Sequence, residues 1–161
     1  MGEIFKVGIA DMKICSAPDT ITTIGLGSCV GIAIRDPHLK KGGLVHIMLP
    51  DSTQIRGSNN IAKFADTGIE ELVRMMEKEG CVRRRMEAKI AGGAQMFNLK
   101  TKSDLSGVGM RNVEAVKKKL KELGIPLLAE DTGKDYGRTV VFYPEDGQYE
   151  IRAVGKAVLF I

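Results

Sequence analysis

The sequence predicts an α/β fold: a single-domain layered sandwich over residues 1–161 with a mixed, largely antiparallel sheet and at least two amphipathic helices. Short runs rich in β-branched residues outnumber the helical stretches. Two segments repeat apolar residues at helical spacing and stop at glycine. The closely spaced strand runs leave no room for crossovers, so they call for hairpins and a mixed sheet. With 161 residues, 43% hydrophobic and 27% charged, the chain has enough material for one core and no bias toward disorder or fibre.

Ile21 to Ile24, Val30 to Ile34 and Leu44 to Leu49 read as the first strands, and RDPHLKKGG between the last two reads as a turn-rich connector. Ile61, Ala65, Ile69, Leu72, Val73 and Met76 recur at helical spacing after the candidate N-caps Asn59 and Asn60 and before Gly80. A strand at Ala88 to Ile90 leads into Gly92 and Gly93. The second helix is expected from about Asn112 to Leu123, with Val113, Val116, Leu120 and Leu123 on one stripe and Gly124 as its stop. Leu127 to Ala129 is a strand, and Thr139 to Tyr143 with Tyr149 to Val154 form a hairpin around PEDG.

No apolar run approaches the roughly 20 residues that span a bilayer, and MGEIFKVGIA lacks a leader's basic segment and apolar core. Lys6 stands where N-myristoylation wants Ser or Thr. The expectation is a cytoplasmic protein without membrane insertion. Cys15, Cys29 and Cys81 are odd in number with no CxxC pair, which predicts reduced thiols rather than a disulfide framework or zinc knuckle. The net charge of +4 includes basic clusters at Arg83 to Arg85 and Lys117 to Lys121, yet 5% aromatic residues and no Trp leave no stacking platform for nucleic acid. GLGS lacks the rest of a phosphate-binding loop, and no HExxH or Cys/His cluster points to a metal, so neither cofactor nor metal is expected.

The chemistry-bearing stretch is TTIGLGSCVGIAIRDP, residues 22 to 37. A nucleophilic thiol needs a base, and only His38 and His46 exist. A hairpin centred on Pro37 and His38 sets Cys29 opposite His46, whereas a centre nearer Leu39 slips the pairing by two or three residues. Gly25, Gly27 and Ser28 let the backbone turn and present N–H groups beside Cys29 as oxyanion donors. Each residue alone also reads blandly: a free cysteine is commonly a small core hydrophobe, and a strand histidine is commonly satisfied by its neighbours.

T-I-G-L-G-S-C-V from Thr23, then HIMLPDS, KFAD, KIAGGAQMF, GMRNVEAV and AEDTG, run in order from about Thr22 to Gly133. Together these blocks resemble the CheD family, bacterial chemotaxis proteins that deamidate glutamines on chemoreceptors. The resemblance implies a cofactor-free Cys-His-Thr hydrolase with Cys29 as nucleophile, His46 as base and Thr23 orienting the imidazole; the residues alone do not prefer Thr23 over Thr22. It implies a thioester intermediate, oxyanion or substrate contacts from Ser28, Gly27 and Gln95, with Met96 and Phe97 beside them, and two partners: the cytoplasmic helices of chemoreceptors and a CheC-type phosphatase. Lys134 and Phe64 depart from the family's usual glycine and tyrosine. Two other readings share the residues: a non-catalytic module regulating a chemotaxis phosphatase, and a cysteine-dependent ester or thioester hydrolase.

Overall fold

The computed structural model describes residues 2–54, 59–96 and 107–161. Ten strands run in chain order: β1 Ile4–Val7, β2 Met12–Ser16, β3 Thr20–Leu26, β4 Val30–Asp36, β5 Lys41–Ile47, β6 Glu87–Gly92, β7 Leu127–Thr132, β8 Arg138–Phe142, β9 Tyr149–Arg152 and β10 Leu159–Phe160. Helix α1 (Ala65–Lys78) lies between β5 and β6, and α2 (Val108–Glu122) between β6 and β7.

The layered sandwich holds, with two mixed sheets where one was expected. One sheet has the order β1-β3-β8-β9-β10, the other β2-β5-β4-β6-β7. Among the ten described strands only β1 with β3 and β6 with β7 pair in parallel. The layers run sheet, sheet, helices. One apolar cluster, including Ile32, Val45, Ile69, Leu72 and Val116, joins the second sheet to both helices. Another, including Ile21, Leu26, Leu44, Phe142 and Tyr149, fills the space between the sheets. The central strand β4 is buried at every residue because it carries one face of each cluster.

Helix α1 shows the expected stripe, with Ile69, Leu72, Val73 and Met76 fully buried. Its start is later than Asn59 and Asn60 suggest. Asn60 instead caps a single 3-10 turn at Ile61–Lys63, accepting from the Ala62 N–H at 3.1 Å. Helix α2 starts four residues before Asn112. Gly109 permits this: a Cβ there would stand 2.4 Å from the Ala94 carbonyl oxygen and 2.5 Å from that of Gly93. The first turn of α2 is therefore pressed backbone-to-backbone against the segment after β6.

The β4–β5 hairpin is offset from a turn centred on Pro37 and His38. Gly31, not Cys29, faces His46. The turn centre falls between His38 and Leu39, the alternative with a two-residue slip. Four residues of the basic clusters form ion pairs: Arg83 with Glu77 at 2.9 Å, Arg85 with the buried Asp36 at 2.8 Å, Lys117 with Glu130 at 2.8 Å and Lys119 with Glu70 at 2.9 Å.

Candidate active site

Strand alternation places the candidate residues. In β4 the even residues Val30, Ile32 and Ile34 face the helices, so the odd ones face the other sheet. Cys29 continues that odd series just before the strand and packs against the inter-sheet cluster. In β5, Val45 and Ile47 face the helices, while Leu44 faces the other sheet. His46 has the parity of Leu44 and enters the same space. Cys29 and His46 are thus diagonal neighbours across the ladder, a relation that separates backbone positions by roughly 7–8 Å. Between them stands Gly31, with no side chain to part them, its carbonyl accepting the Tyr149 hydroxyl at 3.0 Å.

His46 is completely buried. Its Nδ1 lies 2.8 Å from Thr23 Oγ1, which reaches across from β3 in the first sheet. Thr23 Oγ1 also donates to the Val7 carbonyl at 2.7 Å. A hydroxyl has one proton, and Val7 takes it, so Thr23 accepts from the ring and Nδ1 carries hydrogen. That fixes the tautomer and leaves Nε2 with a bare lone pair. Nε2 is buried without a hydrogen-bond partner among the described residues. Thr22 has no such role: its hydroxyl donates to Val140 O at 2.7 Å. The His46 backbone is held as well, its N–H donating to Asp11 O at 3.1 Å and its carbonyl accepting from the Ala10 N–H at 2.9 Å.

Burial pushes the His46 pKa down from 6.5 to about 4, and burial raises the Cys29 thiol above 9.0 against a smaller lowering by its own backbone N–H. The resting pair is therefore neutral. A pair that rests neutral would pass its proton from sulfur to imidazole during attack. Such contacts are commonly long before substrate binds. Cys29 is half-buried, whereas Cys15 and Cys81 are buried, their thiols pushed up to about 12 and about 11 chiefly by burial.

The low His46 value has a stability consequence. The unfolded chain binds a proton near 6.5 and the folded one near 4, so between these pH values the unfolded state holds more protons and stability falls with acidification. Urea denaturation from pH 7 to pH 4 is expected to lose up to about 3 kcal/mol from this group, since about 2.5 pKa units are involved. H46N should flatten that dependence; an equal slope in the variant would refute the assignment.

The Cys29 loop is tied down by its carbonyls. Gly27 O accepts from Ala94 N–H at 2.9 Å, and Cys29 O from Gly93 N–H at 2.8 Å. Gly92, with φ +111°, makes that approach possible: a Cβ there would lie 2.2 Å from Cys29 O. The Gly27 N–H is engaged by Gly25 O at 3.1 Å, and the Gln95 N–H by Lys134 O at 2.8 Å. The N–H groups of Ser28 and Cys29 lie beside the sulfur, that of Cys29 close enough to lower the thiol's pKa, and these are the candidate donors to an oxyanion. Gln95 is exposed and, with Gly93, Met110, Val113, Thr132, Gly133 and Lys134, lines an open cavity of about 290 Å³. Met96 covers Gly27, where a Cβ would meet its Cγ at 3.1 Å. Phe97 lies outside the described residues. Sequence reasoning missed Gly31, Val7 and Asn112, whose buried side chain contacts this loop.

Among the described residues no group of three His, Cys, Asp or Glu side chains could hold a metal ion, and no helix is long and apolar enough to cross a membrane. A thiol, a base of fixed tautomer and backbone N–H groups beside the sulfur are the groups an acyl transfer uses.

The chain is similar to known proteins. The chain is 59% identical over 156 residues to a probable chemoreceptor glutamine deamidase CheD of Lachnoclostridium phytofermentans, covering 97% of each chain. It is 49% identical over 159 residues to the chemoreceptor glutamine deamidase CheD of Bacillus licheniformis, covering 98% of this chain and 95% of that one. A solved structure, the hypothetical protein YfiH of Bacillus licheniformis, aligns over 70% of this chain and 46% of its own with 16% identity and a TM-score of 0.43. The model of the family described as CheD chemotactic sensory transduction matches residues 48–153, and on these grounds the chain belongs to the CheD family.

Proposed function

We propose that this protein is a chemoreceptor glutamine deamidase acting in the cytoplasm as one domain over residues 1–161. The observation that carries the reading is the 2.8 Å Thr23–His46 hydrogen bond, which leaves a bare Nε2 in the inter-sheet space that Cys29 borders. The relatives' names supply the substrate class.

In the reaction, Cys29 Sγ attacks the carboxamide carbon of a glutamine side chain while His46 Nε2 takes the thiol proton. The carbonyl oxygen gains negative charge and is met by the N–H groups of Ser28 and Cys29, with Gly27 and Gln95 contributing contacts to the substrate segment. Collapse of this intermediate breaks the C–N bond, and the imidazolium returns its proton to the departing nitrogen, releasing ammonia and leaving a thioester. Water, deprotonated by His46, attacks the thioester; the C–S bond breaks, the thiol regains its proton and glutamate remains. The positive net charge suits steering toward acidic receptor helices, and a CheC-type phosphatase is the proposed second partner.

Incubation with a receptor cytoplasmic fragment should release ammonia and convert defined glutamines to glutamates by mass spectrometry. An unchanged fragment would remove the proposal. T23V tests the orienting role. It deprives the ring N–H of its acceptor and Val7 O of its donor, so kcat should drop about 10²–10⁴-fold as the tautomer preference is lost. An active T23V would show that the hydroxyl only closes a core.

A further inference from the structure

We propose that Asn112 is a positioning residue that aims the Cys29 N–H at the developing oxyanion; the inference rests on the deamidase reading above. Asn112 is in the second turn of α2 and is completely buried. Its Nδ2 donates to Ser28 O at 2.8 Å and to Met48 O at 2.9 Å. Both neighbours are carbonyl oxygens, so only the amino end of the side chain can face them, and both of its hydrogens are used.

Two consequences follow from the geometry of the peptide unit. Ser28 C=O and Cys29 N–H belong to one planar trans peptide, so they point in opposite directions. Fixing the carbonyl on Asn112 fixes the N–H on the far side. The same logic holds one peptide earlier, where Ala94 holds Gly27 O and so orients the Ser28 N–H. Three successive carbonyls, of residues 27, 28 and 29, are thus each held by a donor from elsewhere. Of these three donors only that of Asn112 is a side chain, and so only that one can be deleted by substitution.

The second consequence concerns the ladder. Val30 with Ile47 is the last β4–β5 pair. Beyond it the two chains part, one toward Cys29 and the other away from His46. Asn112 bridges the opening by holding a carbonyl from each side. The arrangement leaves its own Oδ1 buried with no partner. An apolar residue would avoid that orphaned atom, which marks the two donated bonds as the reason for an amide at this place.

The test compares two reactions of the same sulfur. Hydrolysis of a receptor fragment, or of a p-nitrophenyl ester, passes through an oxyanion; alkylation by iodoacetamide needs the nucleophile but no oxyanion donor. For N112A, kcat for both carbonyl substrates is expected to fall about 100-fold, with KM and the alkylation rate of Cys29 within about threefold of wild type. Alkylation slowed in step with hydrolysis would reduce Asn112 to a packing residue and overturn the inference, as would unchanged kcat. If N112A shows no cooperative thermal transition, N112L, which keeps the volume but donates nothing, is read by the same comparison, with the same outcomes deciding. A wild-type chain that cleaves the ester but not the receptor amide would refute the deamidase reading while the Asn112 comparison still stands.

Discussion

C29A is expected to lower ammonia release by about 10⁶-fold, because the covalent step has no other route. Cys15 and Cys81 cannot substitute, being buried with thiols far less acidic than an exposed one. The fold should tolerate the change. Cys29 is half-buried at the margin of the inter-sheet cluster, so losing one sulfur atom should cost less than about 1 kcal/mol. The pairing of lost turnover with a retained thermal transition, and with retained phosphatase enhancement in a reconstituted assay, distinguishes an enzyme from a regulatory module. A C29A chain that deamidates receptors like the wild type would leave only docking as its role.

The second large effect is expected from H46N. Asparagine can keep an N–H near the position of Nδ1, so the bond to Thr23 has a substitute and the core stays filled, but no base remains where Nε2 was. Turnover should fall about 10⁴-fold or more. The double variant C29A/H46N should lose no more than C29A alone, because nucleophile and base act as a unit. Additive losses would mean that the ring supports the sheets rather than the sulfur. The pH dependence gives an independent reading: with His46 neutral down to about 4, the acid limb of kcat/KM belongs well below the ordinary histidine value of 6.5.

The strands that flank the site were legible because β-branched runs and parity are local properties. The hairpin offset was not, and the cause is tertiary. Gly42 and Gly43 look like turn residues, yet both lie inside β5 because neighbours need the space: a Cβ would meet Phe142 Cε2 at 2.7 Å and Leu72 Cδ1 at 2.6 Å. At the other end, β4 runs on to Asp36, whose carboxylate is buried and held by Arg85 and the Val82 N–H. Neither contact is visible in the connector itself. β1, β2 and β10 escaped notice because they are short and carry mixed patterns, and β1 with the connector that follows it supplies the backbone groups bonded to Thr23 and His46. Residue chemistry pointed to Cys29 and His46, while family resemblance was needed to prefer Thr23. Asn112 had one available signal, a polar amide set beside the apolar stripe of Val113 and Val116, where helices rarely place one without a local partner.

The Thr23–His46 bond has its acceptor in one sheet and its donor in the other. The protein's chemistry is therefore a gauge of how its two layers are aligned. An ångström of sliding between them would break the tautomer lock. A ligand gripping only the outer surface of the first layer would then have a mechanical means of throttling turnover from a distance, without competing for the receptor.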